Sequence, residues 1–121
     1  MLAFNFQNRY FLCSEYVDMR NGFDGLAGIV RNRLGQNPLS GDIFIFINKS
    51  RTHIKLLYWD GDGFALFYKR LEKGRYTETR ANNQKCKHIK RDELLMLLEG
   101  LSFDKMKKKK RFKLSEKNTK E

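Results

Sequence analysis

Residues 43–70 read IFIFINKSRTHIKLLYWDGDGFALFYKR, and the reading of this stretch decides the fold. Ile43 to Ile47 is an unbroken run of β-branched and aromatic residues, too short for a helix. It predicts a central strand buried on both faces. Asn48 to Thr52 is a polar turn that carries Lys49 and Arg51. His53 to Trp59 and Phe64 to Lys69 then flank Asp60-Gly61-Asp62-Gly63, which has the composition a tight hairpin needs at positive φ. Tyr58 and Trp59 are expected to split, one in the core and one outward.

Working outward, Tyr10 to Cys13 is a second apolar run, and Leu2, Phe4 and Phe6 alternate with Ala3 and Asn5. Both predict short strands. Asp18 offers an N-cap for a helix over Asp18 to Leu34, with Met19, Phe23, Leu26, Ala27 and Val30 on one stripe. Gly35 suits the position after its end, and Pro38 forbids its continuation. On the other side, Arg75 to Thr79 predicts a strand, Asn82-Asn83 a turn and Cys86 to Ile89 another short strand. A last helix is predicted from Arg91 to Glu99, stopping at Gly100. The fold class is α+β: a small antiparallel or mixed sheet of four to six strands with two main helices.

A chain of 121 residues, 40% hydrophobic and 13% aromatic, fits one domain with a real core. No apolar run approaches the roughly 18 residues that span a bilayer, so a cytoplasmic protein without membrane contact is expected. The net charge is +11, and residues 105–121 hold nine Lys and Arg against two Glu. The expected division is one domain over 1–103 and a flexible basic tail over 104–121. A block of like charge cannot bury itself. It is either a solvated tail or an electrostatic arm for a polyanion, with nucleic acid favoured because no amphipathic pattern accompanies the lysines. Cys13 and Cys86 are the only cysteines and predict two free thiols. Cys86 and His88 form one Cys-x-His pair with no second pair at ligand spacing, so neither a metal nor a cofactor is expected.

Gly22, Gly25 and Gly28 fall three apart in the first predicted helix. Each costs about 1 kcal/mol relative to alanine. Close packing on a strand or partner helix is the expected cause, with approach of a phosphate backbone beside Arg20 as the alternative. Asp60 and Asp62 alternate with glycine, but an EF-hand loop needs Glu at its twelfth position and finds Leu71. The carboxylates that a two-metal nuclease would need are Asp18, Asp24, Asp60, Asp62 and Glu72. Capping and turn roles account for most of them, so no catalytic residues are predicted. No helix carries the base-reading composition of a helix-turn-helix.

Basic residues interleaved with aromatics are the main functional signal. Arg51 and Lys55 lie on the turn and strand before the hairpin, and Lys69, Arg70, Lys73 and Arg75 follow it. Brought to one face, these residues, Arg20 and the tail residues Lys107, Lys108, Lys109, Lys110 and Arg111 would contact phosphates without reading sequence. The alternative is ordinary solvated strand ends.

Asp18-Met19-Arg20 with Gly22 to Leu26, Pro38, Ser40-Gly41, Phe44 and Phe46 begin a longer pattern. It continues through Lys55-Leu56-Leu57, Trp59 to Phe64, Lys69-Arg70-Leu71, Gly74-Arg75 and Leu97 to Gly100. In this order the pieces resemble the TnpB-type accessory protein of the insertion-sequence-66 family of bacterial transposons, from about Tyr10 to Phe103. The chain departs from that family at Lys90, where a serine-like helix cap is usual, so a frayed helix start is expected. The lysine tail lies beyond the shared region. The resemblance implies a non-catalytic accessory role in DNA transposition, beside a separate protein that carries the chemistry. Two kinds of role follow. One is a DNA-binding factor that assists the transposase, and the other is an adaptor that docks on the transposase or another accessory protein.

Overall fold

The computed structural model describes residues 8–78 and 84–100. Strand β1 is Tyr10–Cys13, helix α1 Phe23–Asn32, β2 Ile43–Ile47, β3 His53–Trp59, β4 Phe64–Arg70, β5 Cys86–Ile89 and helix α2 Arg91–Leu98. The five strands form one mixed sheet in the order β4-β3-β2-β1-β5, and this is an α+β fold. β1 and β2 run parallel because α1 carries the chain back between them, whereas the other pairs are antiparallel. The expected strand over Leu2 to Phe6, the Asn82-Asn83 turn and the tail lie outside the described residues.

β2 explains why the sheet needs two covers. Its five residues are all fully buried, and successive side chains point to opposite faces. Ile43, Ile45 and Ile47 join Ile54, Leu56, Leu94 and Leu97 on the α2 face. Phe44 and Phe46 join Leu26, Ala27, Val30 and Leu57 on the α1 face. The same alternation divides Tyr58 and Trp59 between the faces, yet both stay half-buried rather than one in and one out.

Helix α1 begins five residues later than predicted. Asp18 caps a turn instead: its carboxylate accepts the Arg20 N–H at 2.8 Å, and its carbonyl accepts the Asn21 N–H at 3.1 Å. The far end comes at Asn32, two residues before the predicted Leu34, though Gly35 takes φ 63 and the Gln36 N–H returns to the Val30 carbonyl. The expectation that the glycines pack on the sheet is overturned. A Cβ at Gly22 or Gly28 would meet nothing within 4 Å, and one at Gly25 would meet the Asn21 side chain, not a strand. Leu26, Ala27 and Val30 make the buried face.

Two further expectations shift. Arg75 to Thr77 is not a strand; Leu71 and Tyr76 turn inward onto the α2 face as the chain crosses from β4 towards β5. Lys90 gives α2 no side-chain cap, since lysine has no acceptor, but Glu93 accepts the Lys90 N–H at 3.1 Å. Gly100 ends the helix at φ 83.

Candidate nucleic-acid interface

The β2–β3 turn organises one end of the sheet. Asn48 Oδ1 accepts the N–H groups of Thr52 at 2.9 Å and His53 at 3.0 Å, so one side chain closes the turn. Arg51 inside it adopts φ 58, a left-handed conformation that costs a non-glycine residue about 1–2 kcal/mol. Its backbone is held from both sides. The Arg51 N–H donates to the Asn48 carbonyl at 3.0 Å, and the Arg51 carbonyl accepts the Tyr76 N–H at 2.7 Å. The Leu71 N–H donates to the Thr52 carbonyl at 2.9 Å. These bonds stitch the segment after β4 onto the turn before β3. Gly74, at φ 76, lets the chain reverse between them.

Arg51, Arg70, Lys73 and Arg75 are thereby gathered at one end of the sheet, with Lys49 exposed in the same turn. His53, also at this end, pairs with Arg70 across the β3–β4 ladder and packs against Tyr68 at 5.8 Å between ring centroids. Arg70 reaches Glu72 at 3.0 Å in a solvent-exposed pair. Among the described residues, Lys73 and Arg75 form no ion pair. A Cβ at Gly100 would stand 2.9 Å from Leu71 and 3.8 Å from the Arg75 carbonyl. Gly100, the last described residue, therefore stands beside this group.

Two expected phosphate contacts lie elsewhere. Lys55 is buried on the α1 face, where its Nζ donates to the Met19 and Asn21 carbonyls at 2.8 Å each and faces the Tyr68 ring at 4.7 Å. Lys69 is half-buried and donates to the Leu98 carbonyl at 2.7 Å, closing the C-terminal end of α2. Both ammonium groups are turned into the protein. Arg20 is exposed but engaged, with its guanidinium on both oxygens of Asp18. The Arg20 guanidinium and backbone N–H hold the Asp18 carboxyl down at about 2. Lys107, Lys108, Lys109, Lys110 and Arg111 lie outside the described residues.

The carboxylates do not assemble a reaction centre. Asp60 and Asp62 sit in the β3–β4 turn, where Gly61 takes φ 85 and the Asp60 N–H donates to Gly63. Glu72 lies beyond the other end of the same hairpin, about 20 Å away at the rise of a seven-residue strand. Asp24 stands in the first turn of α1, and among the described residues no three metal-binding side chains cluster. A cleft of about 880 Å³ opens beside the basic turn, lined by Glu15 to Met19 and Asn48 to Ser50. Its walls carry the Glu15 and Asp18 carboxylates, which suit a polyanion poorly. No described helix is long and apolar enough to cross a membrane.

The chain matches the model of a protein family described as IS66 Orf2 like protein over residues 8–108. It is 33% identical over 101 residues to the uncharacterized protein y4jC of Sinorhizobium fredii (strain NGR234), covering 84% of this chain and 86% of that one. It is 36% identical over 95 residues to the uncharacterized protein y4hO of the same strain, covering 78% and 82%. No solved structure matches it.

Proposed function

This chain belongs to the IS66 Orf2-like family of transposition-associated proteins, and we propose that it is a non-catalytic accessory protein that binds DNA non-specifically and assists the element's transposase. On this reading it works in the cytoplasm and needs no cofactor. Arg51, Arg70, Lys73 and Arg75 contact backbone phosphates, and the tail residues Lys107 to Arg111 extend the same contact along the duplex. The observation that carries this reading is the stitching of Arg51 and Thr52 to Tyr76 and Leu71, with Gly100 against Leu71. The folded-domain charge and Gly100, after which the tail follows in sequence, thus share one end of the sheet. Phosphate contacts of this kind fix position without reading bases.

The test is a salt titration of duplex affinity for three proteins: full-length, ended after Phe103, and Lys73→Ala/Arg75→Ala. Each lost phosphate contact flattens the log–log salt slope by about 0.9. Both altered proteins are expected to bind more weakly on every sequence alike. Equal affinity and equal slope in all three would overturn the DNA reading.

A second reading has an observation of its own. Around α1 a Cβ at Gly22 or Gly28 would meet nothing within 4 Å, and Phe23 at the helix start is 47% exposed, an uncovered apolar ring that suits another protein. An adaptor docking there on the transposase or a second accessory protein would lose partner binding, not DNA binding, on Phe23→Glu.

A further inference from the structure

Cys13 on β1 stands directly opposite Cys86 on β5. In the neighbouring pair the Ser14 N–H donates to the Lys85 carbonyl at 2.9 Å. Hydrogen-bonded and non-hydrogen-bonded pairs alternate along an antiparallel ladder, so Cys13 and Cys86 form a non-hydrogen-bonded pair. There the Cα atoms stand about 4.5 Å apart and the side chains lie closest. A disulfide accepts Cα separations from about 4.4 to 6.8 Å. Phe11 and His88 are the next pair of the same kind, and their ring centroids are 5.3 Å apart on the same face. Both thiols are free.

We propose that Cys13 and Cys86 are an oxidative modification site, a cross-strand dithiol that a low-molecular-weight disulfide such as glutathione disulfide converts to an internal disulfide. The Cys86 thiolate attacks one sulfur of glutathione disulfide and releases the first glutathione. The Cys13 thiolate then attacks the Cys86 sulfur of the mixed disulfide and releases the second. Two thiol protons leave the protein and reappear on two glutathione molecules. The protein loses two electrons and one glutathione disulfide gains them.

The order of attack follows from exposure. Cys86 is partly exposed, whereas Cys13 is 2% exposed. Burial pushes the Cys13 thiol up to about 11 and raises Cys86 as well, so formation is slow near neutrality. The same asymmetry protects the product. A reductant reaches only the Cys86 sulfur, and the departing group is then Cys13, a high-pKa thiol that leaves slowly. Once made, the bond ties edge strand β5 to β1, and with β5 the start of α2, which follows after Lys90 alone.

The experiment incubates full-length protein in glutathione buffers of graded oxidised-to-reduced ratio at mildly alkaline pH, followed by acid quench, thiol alkylation and intact mass. The expected product loses both thiols together, carries no glutathione, stays a single chain on a non-reducing gel and yields a Cys13–Cys86 linked peptide. Cys13→Ser is expected to accumulate one glutathione on Cys86, and Cys86→Ser to remain unmodified at Cys13. The proposal is overturned if the wild-type protein stops at a Cys86 adduct, links between chains, or stays fully reduced in the most oxidising buffer.

Discussion

The Lys55 ammonium lies 2.8 Å from the Met19 carbonyl, and this bond makes a strand residue the anchor of the turn before α1. A second bond of equal length to Asn21 completes the grip. Lys55→Met keeps the length of the side chain and removes both donors. Two part-buried carbonyls then lose a charged partner, and a loss of about 2–4 kcal/mol is expected. Chemical denaturation measures it, and an unchanged midpoint would refute the anchoring role. DNA affinity of the folded variant should match wild type.

Gly28 stands on the open side of α1, so Gly28→Ala is expected to stabilise the protein by up to about 1 kcal/mol. Gly25→Ala should behave oppositely, because its methyl group would displace the Asn21 amide, which donates to the Asp18 carbonyl at 2.9 Å. In a double-mutant cycle with Asn21→Ala the cost should largely vanish. A stable Gly28→Ala protein that no longer supports transposition would mark this side of α1 as a docking surface.

Arg70 and Arg75 are exposed, and an exposed ion pair such as Arg70 with Glu72 contributes little to folding. Replacing both arginines by alanine is expected to leave the melting temperature nearly unchanged while weakening DNA binding on all sequences alike. A large fall in melting temperature would assign them to the fold instead.

Tyr76 is 1% exposed, and among the described residues its hydroxyl has no hydrogen-bond partner. Burial pushes that phenol from 10.0 up to about 12. A raised acid pKa means the folded state holds its proton longer than the unfolded chain. Its share of stability is therefore full below about pH 10 and declines as pH rises towards 12. Cys13 acts in the same direction between 9.0 and about 11. Tyr76→Phe is expected to be neutral or stabilising near neutrality and to flatten the alkaline decline, which melting temperature against pH will show.

Asp18 carries the opposite sign. Its carboxyl is lowered from 3.8 to about 2 by Arg20, so its contribution is present above pH 3.8 and lost as pH falls through 2. Asp18→Asn should flatten the acid limb of the stability profile in that window. An identical acid limb in both proteins would show that the Arg20 contact contributes nothing in solution.

Local pattern made β2, the β3–β4 hairpin and α2 legible, because each rests on periodicity or turn chemistry within a few residues. Asp18 was ambiguous for a physical reason: a carboxylate that accepts an N–H two residues on looks the same in sequence as one that caps a helix. The distant Lys55 holds that turn, and no local signal reveals it. Tyr76 has strand-like composition but serves as a plug under the crossover, bonded to Arg51 rather than to a ladder. Charge was legible as charge, but its direction was not. The inward turn of Lys55 and Lys69 depends on which loop or helix end lies beside each strand. The gathering of Arg51 with Lys73 and Arg75 rests on bonds between residues 19 and 25 positions apart, Thr52 with Leu71 and Arg51 with Tyr76.

The strand order β4-β3-β2-β1-β5 also has a consequence for synthesis. A chain emerging from the ribosome can zip the contiguous β2–β3–β4 meander early, since its pairings are short in sequence. β1 must then wait with one edge open until residues 86–89 appear, and Ile43, Ile45, Ile54 and Leu56 await the cover that α2 brings. For that interval the nascent protein shows an unpaired strand edge and a bare apolar face together, the combination that invites chaperones and aggregation.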